Sequence, residues 1–545
     1  MIEILAHNLA PIMFVTVMGL LILGYPVAFT LAAGGLGFFV VGVWLSDLSP
    51  AIGLSWDLLK AHPERIFGIM GNETLLAIPF FTFMGLVLER SGMAEDLLKS
   101  VGQMFGAVRG GLAYAVVVVG ALLAATTGVV AASVIAMGLI SLPIMLRYGY
   151  KREVVAGSIT AAGALAQIVP PSLVLIVLAD QMGRSVGDMY LGALYPALLL
   201  IGAYCLYILL LGTFRGKSVP ALPEEAREFE GGILSLILVV AASSVAYALL
   251  KAYGFTGLRD EVRIVWSATL AACLALGLCL ADRRLGIGLI SDLAQSVIVS
   301  LLPPLALIML VLGTIFLGIA TPTEGGAMGA IGALAIAILR RRLTLVVLNE
   351  ALDYTVRLSA FVMFILIGAR IFALTFYGVN GNVWVEDLML SLPGGAAGFL
   401  IFVTLLVFIL GCFLDFFEVA FIVIPLLVPV AVALDIDLIW FGVILAINLQ
   451  TSFLTPPFGF ALFYLRSVAP SKPWRDAVSN RMLDGLSTGQ IYRGVLPFIV
   501  IQIVVIGLVI WQPGLVTHYA DIAPAQEGSI DFGTGGGGFE LPSFD

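Results

Sequence analysis

The stretch AAGALAQIVPPSLVLIVL (161–178) is an apolar segment interrupted at its centre by two adjacent prolines. A second stretch, AINLQTSFLTPPFGFALFYL (446–465), repeats the pattern. Proline cannot donate a backbone hydrogen bond and pushes away the carbonyl four residues before it, so each pair predicts a break in a helix. A packing kink satisfied by neighbouring helices is the alternative for either pair alone. Two pairs, each following a long apolar segment, favour broken helices that carry a function.

The composition around these stretches is that of a membrane protein. Of the 545 residues, 61% are apolar and 11% are charged, whereas soluble domains carry roughly 25% charged residues. Apolar segments near or above the ~18 residues of a spanning helix recur along the chain. We therefore predict an all-α polytopic membrane protein whose first apolar segment is a retained helix and not a signal peptide. Helices are predicted at about 5–23, 27–45, 71–89, 190–212, 233–250, 264–281, 297–319, 327–339, 358–377 and 494–512.

Two apolar segments are too long for a single span. Residues 110–146 carry no charge and are flanked by cationic residues, so both ends are expected on the cytoplasmic side. Residues 395–434 are flanked by acidic residues in a region without Lys or Arg, so both ends are expected outside. Because ~20 residues cross a bilayer once, each segment is predicted to be a re-entrant helical hairpin, and the two open from opposite faces. Two complete spans with a minimal outer turn remain the alternative for the first segment.

The cationic residues orient the chain. With the N-terminus outside, 20 of the 27 Lys and Arg residues fall on the inner side, six fall outside and Arg370 lies within the membrane. This asymmetry follows the positive-inside rule. Both termini are therefore predicted on the outer side.

The two halves of the chain share an order of parts. Each half contains a hairpin followed by a double-proline helix, and the charge pattern starts one half outside and the other inside, which predicts an inverted-topology repeat. The parts are 1–212 (hairpin about 110–146, broken helix 153–180), 213–296 (a charged linker and two extra helices), 297–512 (hairpin about 395–434, broken helix 439–465) and 513–545. The last part is an acidic, glycine-rich tail, a composition typical of disorder. The stretches 93–106 and 343–358 are predicted to be interfacial arm helices or ordinary loop helices.

The breaks and the hairpin tips bring oxygen atoms together. The proline pairs should free the carbonyls near Ala166 and Gln167 and near Ser452 and Phe453. The first hairpin's middle, AATTGVVAAS (124–133), adds threonine hydroxyls. Oxygen ligands suit a small hard cation such as Na⁺, and half-helix N-termini suit a substrate carboxylate. We therefore expect one such binding site in each half.

Charged residues inside a membrane are costly and so are candidates for function. Glu324 is expected either to cap a helix or to act in transport. Arg370 is expected to pair with an acidic residue of the fold or to contact a substrate anion. Asp415, near Glu418 at the second hairpin tip, is expected to bind a cation or to form hydrogen bonds within the tip.

The order of these motifs resembles the large permease (DctM-like) subunits of TRAP transporters, within the ion-transporter superfamily. The matching stretches are LLAIPFFTFMGLVLERSG (75–92), GGLAYAVVVVGALLAATTGVVAAS (110–133), AAGALAQIVPPS (161–172), TPTEGGA (321–327), LGCFLDFFEVAFIVIPLLVPV (410–430) and NLQTSFLTPPFG (448–459). They cover both halves but not 213–296 or the tail. The first tip departs from the family pattern, since ATTGVVAAS stands where a Ser-Gly-Ser-like tip is common.

The resemblance implies a secondary transporter of a bacterial inner membrane that imports organic acids, commonly carboxylates, on a Na⁺ gradient. It implies a small four-helix membrane subunit and a periplasmic substrate-binding protein as partners, an elevator movement, and no organic cofactor. By motif match, the cation-binding residues would be Thr126, Thr127, Gly128, Gln167, Pro170, Asp415, Asn448, Gln450, Thr451 and Thr455. The substrate-binding residues would be Pro171, Ser172, Pro456 and Pro457, with Arg370 added as a candidate on its charge.

Three other functions were weighed. A related ion-coupled anion carrier that needs no binding protein would use the same parts, and its two extra helices would replace the small subunit. A channel fits less well, because broken helices within a repeat favour alternating access. An intramembrane enzyme lacks support, because the four cysteines form no CxxC pair and the three histidines lie near helix ends, far apart in sequence, with no metal-binding spacing.

Overall fold

The structure, a computed structural model, describes residues 2–49, 52–229, 232–255, 257–476 and 478–518. The described chain is helical almost throughout and contains one short two-stranded antiparallel sheet. The predicted all-α polytopic architecture is confirmed. Nine of the described helices are long and apolar enough to cross a membrane, and up to 12 spans result if each bent helix pair counts as one. Most of the tail predicted to be disordered lies outside the described residues.

The described residues of the first half form eleven α-helices. They are α1 (Ile2–His7), α2 (Leu9–Ile22), α3 (Val27–Ser46), α4 (His62–Met70), α5 (Ala77–Arg90), α6 (Met93–Met104), α7 (Gly111–Thr127), α8 (Val130–Arg147), α9 (Arg152–Ala164), α10 (Leu173–Gln181) and α11 (Val186–Phe214). A 3₁₀ turn, Leu165–Gln167, extends α9 toward the first proline pair.

The inserted segment and the second half contain thirteen helices and the sheet. The helices are α12 (Ile233–Leu249), α13 (Asp260–Leu285), α14 (Asp292–Phe316), α15 (Pro322–Leu339), α16 (Leu345–Gly378), α17 (Gly381–Leu390), α18 (Gly395–Gly411), α19 (Phe416–Ile422), α20 (Ile424–Ala433), α21 (Leu438–Leu454), α22 (Phe460–Val468), α23 (Thr488–Trp511) and α24 (Gly514–Thr517). Strands β1 (Trp474–Arg475) and β2 (Met482–Leu483) form a small hairpin between α22 and α23.

The helices pack as two groups. The hairpin bundle contains α7–α11 and α18–α23, and its closest packing joins α9 to α23, α7 and α8, with α21 packed on α18 and α23. The outer bundle contains α2, α3, α5 and α14–α16, where α3 packs on α16 and α5 on α15. The two bundles meet where α5 contacts α7 and α10 and where α16 contacts α19. The tips of both hairpin segments therefore lie near the outer bundle.

The first long apolar segment forms a helical hairpin, and the second forms three consecutive helices, α18, α19 and α20. In the first, α7 and α8 join through Gly128 and Val129. At 1.5 Å per residue these helices are about 26 and 27 Å long, so length alone is compatible with either interpretation of this segment. The turn itself is not at a water-facing surface, because Gly128 is buried against Leu173. A buried turn favours the re-entrant interpretation.

The sequence predictions missed two features of the outer bundle. The predicted outer loop before residue 70 contains a 3₁₀ helix, Trp56–Ala61, followed directly by α4. The stretch 343–358 forms no separate arm helix, because it is continuous with the following span as the 34-residue α16. Charged residues at helical spacing look alike in a separate arm helix and in the first turns of a longer span, so the sequence does not show whether a break follows this stretch.

Candidate ion and substrate site

Eight half-helices end or begin at the two hairpin tips and the two breaks. Carbonyl ends arrive from α7, from the 3₁₀ turn after α9, from α18 and from α21. N-terminal ends leave at α8, α10, α19 and α22. Carbonyl ends carry partial negative charge and N-terminal ends carry partial positive charge. Each half of the chain therefore places cation-favouring and anion-favouring backbone ends side by side.

In the first half, the hairpin tip contains two hydroxyls that bond to the end of α7. Thr126 Oγ1 and Thr127 Oγ1 each donate to the Leu123 carbonyl at 2.9 Å. Thr127 Oγ1 also lies 2.8 Å from Ser133 Oγ. Sequence reasoning omitted Ser133 from the site, although it closes the quoted tip stretch. All three hydroxyl residues are buried.

The tip of the first hairpin packs on the start of α10. Gly128 has φ +59°, in the left-handed region, and a Cβ there would lie 2.9 Å from Leu173 Cγ. Since Leu173 follows Ser172, the structure brings this tip to the end of the proline break. A side chain larger than glycine would separate the two.

The first break leaves a buried side chain without partners. Gln167 is fully buried, and neither its amide oxygen nor its amide nitrogen has a hydrogen-bond partner among the described residues. Its backbone carbonyl, expected to be freed by the prolines, accepts the Ser172 hydroxyl at 2.8 Å. The Pro170–Pro171 peptide bond is cis. Because an unpaired buried amide is costly, Gln167 is a strong candidate for contact with a bound ligand.

In the second half, Asp415 caps a helix. Its Oδ1 accepts the Phe416 N–H at 2.7 Å, and its own N–H donates to Glu418 Oε2 at 3.0 Å, which completes a capping box at the start of α19. Hydrogen bonding within the tip, one of the two expected roles, is therefore observed. No hydrogen bond among the described residues joins Asp415 to Asn448, Gln450, Thr451 or Thr455.

The remaining predicted polar residues of this half bond within the hairpin bundle. Asn448 Nδ2 donates to the Thr404 carbonyl at 2.7 Å, and Gln450 Nε2 lies 3.4 Å from Tyr204 Oη. Thr451 and Thr455 each donate to the carbonyl four residues earlier. The Ser452 carbonyl, also expected to be freed, accepts the Thr455 N–H at 3.0 Å. The amide oxygen of Gln450 is buried and has no hydrogen-bond partner among the described residues, as is also the case for the Gln167 amide in the first half.

The two breaks differ in exposure. Pro170, Pro171 and Ser172 are buried, whereas Pro456 is half-buried and Pro457 is exposed. Two exposed aromatic residues mark the open side, since the rings of Phe413 and Phe458 lie 4.8 Å apart, between the second hairpin tip and the second break. Sequence reasoning did not single out either ring, although both stand inside quoted motifs. The first break is therefore buried by the described residues, and the second is partly exposed.

The outer bundle closes the first half of the site. Gly85 on α5 is buried, and a Cβ at this position would overlap the Thr126 carbonyl oxygen and the Thr127 Cα. Glycine thus allows α5 to touch the backbone of the hairpin tip. The contact would have to break for this tip to move relative to α5.

The other intramembrane charges have separate positions. Glu324 forms a capping box with Thr321 at the start of α15, so its capping role is observed. Arg370 is exposed and has no ion-pair partner among the described side chains, so the expected pairing with an acidic residue is not found. It lines a cavity of about 140 Å³ with Asp180 and Tyr377, between α10, α16 and the second hairpin. This cavity is separate from both breaks.

Comparison with known proteins identifies the family. The family described as "Tripartite ATP-independent periplasmic transporter, DctM component" matches residues 14–515. The chain belongs to the DctM family. It is thus a TRAP transporter large permease subunit, a multi-pass membrane transport protein and not an enzyme.

Similar DctM-family proteins are known from several bacteria. The C4-dicarboxylate TRAP transporter large permease protein DctM of Vibrio cholerae is 29% identical over 84% of this chain and 89% of its own length. Its counterpart in Pseudomonas aeruginosa is 27% identical with the same coverage. The sialic acid TRAP transporter large permease protein SiaM of Vibrio cholerae is 24% identical over 90% of this chain and 94% of its own length. With 84% or more of this chain covered, these similarities extend over both of its halves.

Proposed function

We propose that this DctM-family subunit moves an organic carboxylate across a bacterial inner membrane together with Na⁺. The observation that carries the proposal is the convergence of half-helix ends at each hairpin tip and break, with the buried Gln167 amide, which has no hydrogen-bond partner among the described residues, beside the first. Carbonyl ends and amide oxygens supply the hard ligands that Na⁺ takes, while N-terminal ends favour a carboxylate. The names of the relatives fit, since C4-dicarboxylates and sialic acid are both carboxylates.

The partners and the movement are part of the same proposal. A tripartite system needs two further components, which we propose to be a small four-helix membrane subunit and a periplasmic substrate-binding protein. Both termini of this chain would face the periplasm. The separation into an outer bundle and a hairpin bundle supports an elevator movement, in which the hairpin bundle slides along the outer bundle.

Uptake into proteoliposomes tests this function. The full chain is reconstituted with its small subunit, and uptake of a labelled C4-dicarboxylate is followed with and without the binding protein and with and without an inward Na⁺ gradient. Uptake is expected only when both are present. Uptake without the binding protein would refute the tripartite mechanism. Equal uptake on a proton gradient without Na⁺ would refute Na⁺ coupling and leave the tripartite mechanism standing.

Two substitutions test the residues. Thr127→Val removes a tip hydroxyl and keeps the shape, so the Na⁺ concentration for half-maximal uptake should rise about tenfold, the effect of losing ~1.4 kcal/mol of ligand binding. Thr160→Val is the matched control, because Thr160 is also buried and bonds only to its own helix α9. An equal effect of both substitutions would contradict a ligand role for Thr127.

Asp415→Asn separates capping from cation binding. Asparagine caps helices about as well as aspartate, so α19 should remain capped while the negative charge is lost. If Asp415 contributes its charge to Na⁺ binding, Na⁺ dependence weakens in this variant with thermal stability unchanged. Wild-type Na⁺ dependence in Asp415→Asn would show that the residue only caps the helix.

A further inference from the structure

A basic pocket lies at one end of the hairpin bundle, away from both hairpin tips. It has a volume of about 250 Å³ and is formed by the start of α9, the end of α11, the following linker and the start of α23. Its cationic lining residues are Lys151, Arg215 and Arg493, and Glu153 is its one acidic lining residue. The function proposed above does not use this pocket.

The shape of the pocket comes from a close helix crossing. At Gly157 and Gly494 the backbones of α9 and α23 touch, since a Cβ on either glycine would overlap the other helix. The pocket lies beside this contact, since Gly494 is also one of its lining residues. The Lys151 N–H donates to the Ser218 carbonyl at 3.0 Å and so holds the linker across the opening.

Most of the positive charge in the pocket is unpaired. Lys151 is 3.7 Å from Glu153, but Arg215 and Arg493 form no ion pair with any described residue. Three cations against one carboxylate leave an excess of positive charge, and both arginines are exposed. Guanidinium groups in this situation favour phosphate, which they bind in a bidentate manner.

The surroundings of the pocket are those of a lipid-water interface. Tyr207 and Leu211 line its apolar side. The adjacent surfaces of α11 and α23 expose Phe214 by 82%, Leu496 by 51% and Val500 by 59%. A tyrosine between apolar and charged groups is typical of headgroup depth.

The charge pattern assigns the segments of all three cations to the cytoplasmic side. Lys151 belongs to 147–152, Arg215 to 213–232 and Arg493 to 466–493. That leaflet is the one whose anionic lipids attract basic residues. We propose that this pocket binds the phosphate of an anionic phospholipid, with Arg215 and Arg493 as the principal contacts. At about 250 Å³ it lies just below the ~300 Å³ at which small-molecule sites begin, which suits a headgroup.

Lipid binding to the full purified chain tests the proposal by native mass spectrometry, with phosphatidylglycerol and phosphatidylcholine as probes. The Arg215→Gln/Arg493→Gln variant should bind phosphatidylglycerol about thirtyfold more weakly, which corresponds to about 1 kcal/mol for each arginine near a membrane surface. Its binding of phosphatidylcholine should not change. Arg283→Gln/Arg284→Gln is the matched control, because these two arginines are also exposed at a helix end, outside the pocket.

Further measurements distinguish the possible causes of a change. The Arg215→Lys/Arg493→Lys variant keeps the charge but not the bidentate geometry, so its binding of phosphatidylglycerol should lie between those of the wild type and the Arg215→Gln/Arg493→Gln variant. Binding as weak as in that glutamine variant would overturn a contribution of charge to the site. Equal phosphatidylglycerol binding by the wild type and both glutamine variants would also overturn the proposal. Displacement of the lipid by inorganic phosphate at similar concentrations would show that the pocket binds a free anion and not a phospholipid.

Discussion

Gly85→Ala should loosen the first hairpin tip. The new Cβ would overlap backbone atoms of Thr126 and Thr127, which cannot rotate away as a side chain would. Either α5 or the tip must therefore shift. Overpacking of this kind costs about 1–3 kcal/mol, and this cost falls on the described conformation, where the two elements touch.

The cost predicts a change in population. If the tip separates from α5 during transport, destabilising the contact by about 1–3 kcal/mol raises the relative population of the separated arrangement about 5- to 150-fold. Thr126 is only 3% exposed in the described conformation. A cysteine at this position should therefore react with a water-soluble maleimide mainly in the separated arrangement.

The assay compares labelling rates. Thr126→Cys is placed in a chain whose four native cysteines are replaced by serine, and the rate is measured with Gly85 and with Gly85→Ala. The rate should rise about 5- to 150-fold in the second case. Gly37→Ala is the matched control, because Gly37 is also in an outer-bundle helix but a Cβ there meets no atom within 4 Å. Both substitutions gain the same helix propensity, so this effect cancels.

Equal labelling rates in Gly85→Ala and Gly37→Ala would refute the idea that the tip is closed by backbone contact with α5. Thermal unfolding of both variants shows whether faster labelling reflects a local change or a loss of the fold. A faster rate in a variant whose melting temperature stays well above the assay temperature supports the local movement.

Two further predictions concern the stability of the hairpin bundle. Asp476→Asn breaks the paired hydrogen bonds from Arg147 at 2.7 and 2.8 Å and should lower the unfolding free energy by about 2 kcal/mol at pH 7. The more exposed ion pair of Asp484 with Arg152 should contribute less than ~1 kcal/mol to the unfolding free energy. The hydrogen bonds from Arg147 hold the pKa of Asp476 well below its usual range. The contribution of Asp476 to the unfolding free energy should therefore be fully present above about pH 4 and decline only as pH falls further toward the folded pKa. Thermal melts of wild type and variant from pH 8 to pH 3 check this, and a stability difference already lost at pH 5 would contradict it. Tyr204→Phe removes the hydroxyl that accepts Gln502 Nε2 at 2.7 Å and lies 3.4 Å from Gln450 Nε2, and should destabilise the protein by about 1–3 kcal/mol. Tyr207→Phe, which keeps a similar ring contact with Phe498, should have little effect in the same melts.

Much of the architecture was predictable because membrane insertion imposes strict local rules. A charge-free segment of 110–146 with cations at both ends has few arrangements in a bilayer, and the structure shows a helical hairpin there. Each proline pair interrupts a helix where the missing N–H groups require it. These features depend on residues close together in sequence.

The candidate site was predictable in residue type but not in detail. The sequence suggested Gln167, Gln450 and the tip threonines, yet it did not show that Gln167 is partnerless while Gln450 shares Tyr204 with Gln502. These hydrogen bonds join residues about 250 to 300 positions apart. No local pattern specifies such a pairing.

The sequence by itself determined a polytopic helical protein and the places where its helices turn and break, because burying a charge or an unpaired backbone group in lipid is prohibitively costly wherever it occurs. Only the tertiary structure decided that Gly85 touches the first hairpin tip, that Asp415 caps α19, and that the first break is buried while the second is partly exposed. Those outcomes depend on close packing between distant helices, where a single methyl group changes which atoms can meet.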